Sequence, residues 1–390
     1  MLSRRIQTLS TSMTIAITTL ALELKAEGKD ILSFSAGEPD FDTPIEIKER
    51  AKKALDDGQT KYTAIPGTPE LLKAVVGKLK RDNNLDYATN MIQTNNGAKH
   101  SLFNLFQALI DEGDEVIIPA PYWVTYPEVV KYSGGTSVII ETDDTTGFKV
   151  TPEKLQEAIT PKTKIFVLTT PSNPTGSVYS REELEALAEV LKGTDIFVFS
   201  DEMYEKLVYG NTKFTAVASI SEDMFQRTVT INGLSKSASM TGWRFGYLAT
   251  PKVELVNAMN RLQSQSTSNI SSITQAGAIA GLDGSIDKRI EEMRLIFEQR
   301  RDEAYRLVNG IDGLSVVKPD GAFYLFINIK KITNNSMEFS KELLAKEGVA
   351  VVPGIAFGAE GYIRFSFATD IKTIREGIKR LDRFIKTSYL

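Results

Sequence analysis

Between residues 91 and 250 the chain alternates short apolar runs with longer stretches whose apolar positions recur every three to four residues. The runs at 91–94, 115–118, 165–168, 196–199, 228–231 and 245–248 are bounded by turn residues and read as strands. Between them, Leu102, Phe103, Leu105, Phe106 and Leu109 fall on one helical face, closed by Glu112-Gly113. Ser180 followed by Glu183 is a capping box that opens a helix towards Leu191. Strands alternating in this way with helices predict an α/β fold with a mostly parallel sheet sandwiched by helices. A long charged helical stretch over 288–308 bridges to a second, smaller α+β unit.

A chain of 390 residues exceeds one ordinary core, so two domains are expected. They divide as a large cofactor-binding domain over 46–290 and a small domain made of 1–45 plus 291–390, the small domain including an N-terminal arm. The apolar stretch over 13–22 follows Arg4-Arg5 but is interrupted by threonines and runs into Glu23 and Lys25. It is too short to span a bilayer and no small-residue cleavage site follows. It is expected to be an amphipathic helix of a cytoplasmic protein, without a membrane partner.

Composition narrows the chemistry. Hydrophobic residues make up 42% and charged residues 25%, as in a globular protein, and the net charge of −4 gives no footing for nucleic acid. The absence of cysteine removes disulfides, thiol nucleophiles and Cys-based metal sites. The single histidine, His100, rules out a histidine-rich metal site, and no nucleophile-elbow motif accompanies it. A packing or helix-surface role is expected for His100, and no metal.

The most informative segment runs from Gly233 to Gly246. Lys236 stands there among small residues, uncrowded enough for its amine to form a Schiff base, and Arg244 follows with a planar fork suited to phosphate. Two further segments end predicted strands: Thr170-Pro171-Ser172-Asn173-Pro174-Thr175-Gly176 and Ser200-Asp201-Glu202-Met203-Tyr204. Open α/β sheets place ligands at such strand ends. A carboxylate at Asp201 suits a protonated pyridine nitrogen, while Asn173 and Tyr204 suit a phenolic oxygen. Singly, Asn173 also reads as an Asn-Pro turn and Asp201 as a helix N-cap. Together with Lys236 and Arg244 they point to pyridoxal 5'-phosphate.

These segments, with Ala36-Gly37-Glu38-Pro39-Asp40-Phe41-Asp42-Thr43-Pro44, Lys61-Tyr62-Thr63, Asn96-Gly97-Ala98-Lys99, Pro121-Tyr122-Trp123 and Tyr362-Ile363-Arg364-Phe365-Ser366, span nearly the whole chain. In combination they resemble class I aminotransferases, the fold type I pyridoxal-phosphate enzymes, and most of all the bacterial aspartate aminotransferases of the I-beta branch. The resemblance implies a sheet of seven strands and a homodimer with shared active sites. It implies that Gly97 and Ala98 present a helix N-terminus to the cofactor phosphate, with Ser235, Arg244 and the partner subunit's copy of Tyr62. Trp123 would lie on the ring. Arg364, Gly37 and Asn173 would grip the substrate α-carboxylate, and Lys99 its distal carboxylate.

The implied activity is ping-pong transamination of aspartate with 2-oxoglutarate through Lys236. The sequence departs from the family at Phe245, where an aliphatic residue is expected. The arginine that animal-type relatives use for the distal carboxylate is missing near Ser264, and Lys99 takes its place. Ser10-Thr11-Ser12 stands where many relatives read Lys-Pro-Ser, which counts against prephenate as a substrate. The alternatives are an aminotransferase for prephenate, arogenate or other amino acids, a fold type I lyase, and a non-catalytic pyridoxal-phosphate-binding module. The last is disfavoured by intact Lys236, Asp201, Tyr204, Arg244 and Arg364. A regulator of that kind would also need a DNA-binding domain, for which the chain is expected to have no room.

Overall fold

A computed structural model describes residues 2–10 and 13–389, so Thr11 and Ser12 of the Ser10-Thr11-Ser12 segment lie outside the described residues. In chain order the strands are β1 (Leu32–Ser33), β2 (Ile92–Asn96), β3 (Glu115–Ala120), β4 (Thr136–Glu141), β5 (Thr163–Thr169), β6 (Phe197–Asp201) and β7 (Thr228–Gly233). There follow β8 (Phe245–Ala249), β9 (Ser315–Val316), β10 (Tyr324–Asn328), β11 (Val349–Ala350), β12 (Val352–Pro353) and β13 (Tyr362–Ser366).

A 7-stranded sheet has the order β2-β8-β7-β6-β5-β3-β4. Only β8 runs against its neighbours, pairing antiparallel with β2 and β7; the other pairings are parallel. The central strands are apolar at consecutive positions because helices cover both faces. Ile165 and Val167 of β5 pack with Leu102, Leu105 and Phe106 of the helix Ala98–Leu109. Phe166 and Leu168 point the other way, onto Leu184, Leu187 and Leu191 of the helix Arg181–Leu191. The capping box at the start of that helix forms as expected, with Ser180 Oγ accepting from the Glu183 amide.

The sequence reading found six of these seven strands and missed β4. This strand is an edge with Ile139 40% exposed, and its apolar run, Val138-Ile139-Ile140, is only three residues long. The remaining strands form a 4-stranded antiparallel sheet of order β12-β13-β10-β9 and a parallel β1-β11 pair. The helices Asp287–Val308, Ser336–Glu347 and Ile371–Ser388 pack on a core built around Phe323, Leu325, Phe339 and Phe365. A two-pronged ion pair, Arg300 to both carboxylate oxygens of Asp40 at 2.6 and 2.9 Å, fastens the segment after β1 to the long helix. The helix Met13–Ala26 lies against β11 and β12. Among the described residues no helix is long and apolar enough to cross a membrane.

Candidate active site

The carboxyl ends of the parallel strands open onto a cleft of about 460 Å³ that also receives Arg364 from β13. Asn96 closes β2, Asp201 closes β6, and Lys236 follows the end of β7, so the sheet itself fixes where the polar groups stand. Of the residues predicted from sequence, Gly37, Ala98, Lys99, Trp123, Asn173, Asp201, Tyr204, Ser235, Lys236, Arg244 and Arg364 all border this cleft. Gly97 sits just behind it. Tyr62 does not join them: its side chain is 91% exposed, in a separate surface hollow of about 1020 Å³.

At the mouth of the helix Ala98–Leu109, Gly97 adopts φ +77°, and a Cβ there would overlap Arg244 Nη2. Glycine is therefore needed both for the left-handed backbone and for the approach of the guanidinium. A Cβ at Gly246 would likewise overlap the Ala98 amide, so the strand β8 packs backbone to backbone on this turn. The first helical amides have no carbonyl within the helix to bond. Ala98 and Lys99 border the cleft together with Arg244, so their amides, the helix dipole and the guanidinium form an arrangement that could hold a phosphate. Arg244 holds φ +57° and is braced by donating to the Thr241 and Asn96 carbonyls at 2.9 and 3.4 Å.

Lys236 Nζ donates to the Gly37 carbonyl. Burial and then the Arg364 charge press its amine down to about 8, which keeps a sizeable uncharged fraction near neutral pH. Asp201 accepts at Oδ2 from Tyr126 Oη at 2.6 Å and at Oδ1 from the Met203 amide at 3.2 Å. Burial still pushes its carboxyl above the usual range, so a cation beside it would be welcomed. Tyr204 and Tyr324 share a hydroxyl–hydroxyl bond of 2.8 Å.

Arg364 is 2% exposed; it donates to Asn173 Oδ1 at 2.9 Å and to the Ser35 carbonyl at 2.7 Å, and lies over the Tyr324 ring at 4.4 Å. Its Nε is buried without a partner, and burial lowers its affinity for its proton. A guanidinium so desolvated, with donor capacity unspent, is a receptor for a carboxylate. Lys99 Nζ stands 4.9 Å from the centre of the Trp123 ring, and burial followed by Arg244 lowers its pKa. His100 uses Nδ1 to accept from the Asn96 amide at 3.3 Å, a packing role as expected.

Sequence reasoning missed Tyr126, Tyr324 and Ser35. Tyr126 had only its place one helical turn after Trp123, which does not set it apart from a core aromatic; in the fold its amide bonds the Trp123 carbonyl at 3.0 Å and the two rings meet edge to face at 5.5 Å. Tyr324 and the Ser35 carbonyl had no signal, since their parts come from the pairing of distant strands.

The chain matches the family described as aminotransferase class I and II over residues 29–381. The aspartate aminotransferase of Bacillus subtilis (strain 168) is 48% identical over 390 residues, covering 99% of each chain. The aspartate/prephenate aminotransferase of Nitrosomonas europaea is 45% identical, covering 97% of this chain and 98% of its own. Among solved structures, the aspartate aminotransferase from Rhizobium meliloti superposes with a TM-score of 0.95 at 41% identity, over 98% of each chain. The Thermus thermophilus aspartate aminotransferase with maleate gives 0.94 at 41% identity, over 98% of this chain and 99% of that one.

Proposed function

The chain belongs to the aminotransferase class I and II family, and from that premise we propose that it transfers the amino group of aspartate to 2-oxoglutarate, yielding oxaloacetate and glutamate. The residues fit pyridoxal 5'-phosphate: unspent helix amides beside Arg244 for the phosphate, a buried carboxylate at Asp201, and an uncrowded, readily deprotonated Lys236. Bound there, the cofactor supplies an aldehyde that captures the amino group and a cationic ring that stores the electrons released at Cα.

The protein's own groups do the rest. Asp201, oriented by Tyr126, would hold the proton on the ring nitrogen, and Tyr204 with the Asn173 amide would donate to the phenolic oxygen. Trp123 offers a ring face to the cationic ring, and Ser235 a hydroxyl to the phosphate. Arg364 grips the α-carboxylate with Gly37 and Asn173 beside it. By fixing the carboxylate, that grip would keep it from leaving as carbon dioxide and would present the Cα proton for removal instead. Lys236, close to Gly37 and Arg364, would take the proton from Cα as general base and then give it up again as general acid. Release of the first oxo acid before entry of the second gives ping-pong kinetics.

Lys99 carries the substrate assignment. Of the basic residues that border the cleft, Arg364, Arg244 and Lys236 would be occupied by the α-carboxylate, the phosphate and the amino-transfer chemistry, which leaves Lys99 beside Trp123. A second carboxylate is the charge that fits it, and the Thermus thermophilus relative is described with maleate, a dicarboxylate. Replacing Lys99→Met should lower kcat/KM for aspartate roughly tenfold to a hundredfold by removing a charged hydrogen bond, with little change for alanine. Equal losses for both amino acids would refute the assignment. Prephenate as acceptor is the second reading, favoured by the Nitrosomonas europaea relative named for it, and an assay with prephenate in place of 2-oxoglutarate decides it.

We further assign residues 46–290 to the cofactor domain and 1–45 with 291–390 to the small domain, in keeping with the separate chain ranges of the two main sheets. The exposure of Tyr62 favours a homodimer in which each subunit lends this tyrosine to the other's phosphate. A cytoplasmic setting accords with this metabolic role.

A further inference from the structure

The residue after Asp201 carries a carboxyl group that the chemistry above does not use. Glu202 is fully buried. Its Oε1 accepts from Ser200 Oγ at 2.9 Å and from the Val217 amide at 3.0 Å, while its own amide donates to the Ile231 carbonyl at 2.9 Å. Two other segments, at Val217 and at Ile231 of β7, are thus tied to the residue that follows Asp201. Its other oxygen, Oε2, is buried with no partner. An ionised carboxylate only accepts, so a charge on Oε2 would be stranded away from water.

The nearby charges relieve it only in part: Lys78 favours the ionised form, but by less than burial and Glu205 oppose it. Lys78 is engaged by Glu205, which also accepts from Asn83 Nδ2 at 2.9 Å, and Asp82 is matched by Lys206 at 2.8 Å. Glu205 adds like charge instead. The remaining neighbours are neutral hydroxyls and an amide. Strand register sets Ser200 beside Thr230 and Asn232 beside Tyr247. Thr230 Oγ1, Asn232 Nδ2, Tyr247 Oη and Tyr87 Oη are, like Glu202 Oε2, buried without partners. Hydroxyl oxygens can accept from a carboxylic acid, directly or through an ordered water.

We propose that Glu202 is a positioning residue that carries a proton in the resting protein, fixing the turn that presents Asp201 without adding a negative charge behind it. Burial and the Glu205 carboxylate support this by raising the Glu202 carboxyl to about 8. The inference rests on Asp201 as the partner of the ring nitrogen.

Thermal melts of the full chain and of Glu202→Gln across about pH 5 to 9 test the proton. In the unfolded chain a glutamate ionises near 4.3. Between that pH and about 8 the folded protein therefore holds one more proton than the unfolded, and wild type loses stability as pH rises. The amide loses none. The Tm difference should move progressively in favour of Gln up to about pH 8 and then level off; a difference constant across the range would overturn the protonated state.

Fluorescence titration with pyridoxal phosphate at neutral pH tests the positioning. Glu202→Gln should bind as wild type does, and Glu202→Leu, which strands the Val217 amide and Ser200 hydroxyl, about tenfold more weakly. Equal binding by the leucine variant, or equal loss in both, would overturn the positioning role. Failure of wild type to bind at all would overturn the reading of Asp201 and the positioning role with it, while the melts would still decide the proton.

Discussion

Lys236 is the residue whose environment most directly sets the chemistry. Burial beside Arg364 lowers its amine to about 8, so the uncharged form grows as pH rises towards and through that value. Stopped-flow reconstitution of cofactor-free protein with pyridoxal phosphate should therefore speed up with pH and level off above about 8; a rate still climbing in proportion towards the ordinary lysine range, near 10.4, would contradict the lowered value. Lys236 and Asp201 were legible in the sequence because the roles proposed for them call for an uncrowded amine and a carboxylate near strand ends; Arg364, in the middle of β13, was legible only through the resemblance. Tyr126 was legible in neither way. It packs edge to face on Phe199 and on Trp123, and so reads as one more core aromatic. Only the fold reveals that its hydroxyl reaches the Asp201 carboxylate.

At the scale of elements, the phosphate site depends on the fit of the turn before the helix Ala98–Leu109 against β8 and Arg244. Gly97→Ala would strain a left-handed backbone and push the guanidinium aside. Cofactor affinity, read by the same fluorescence titration, should fall roughly tenfold or more, from about 1–2 kcal/mol of strain plus the displaced arginine; unchanged affinity would separate this turn from the phosphate. The inner strands were readable because burial on both faces makes them continuous apolar runs. The edge strand β4 carries only the three-residue run Val138-Ile139-Ile140, and the two-residue strands β1, β9, β11 and β12 are too short to leave a period. The antiparallel course of β8 was also invisible, since local pattern does not record direction.

At the scale of the molecule, the single chain gathers every predicted site residue at one cleft apart from Gly97 just behind it and Tyr62 far out on the surface. The resemblance had assigned Tyr62 to a partner subunit's cofactor site. Sedimentation equilibrium should give twice the chain mass of 43.1 kDa, and a monomer retaining full cofactor affinity would contradict the shared site.

The most direct test of the account adds L-aspartate alone to the cofactor-loaded protein and follows the absorption spectrum and the released oxo acid. Conversion of the lysine-bound cofactor to its amino form, with one equivalent of oxaloacetate per site and reversal by 2-oxoglutarate, is the predicted result. A spectrum that ignores aspartate and responds only to monocarboxylic amino acids would contradict the role given to Lys99 and, with it, the proposed reaction.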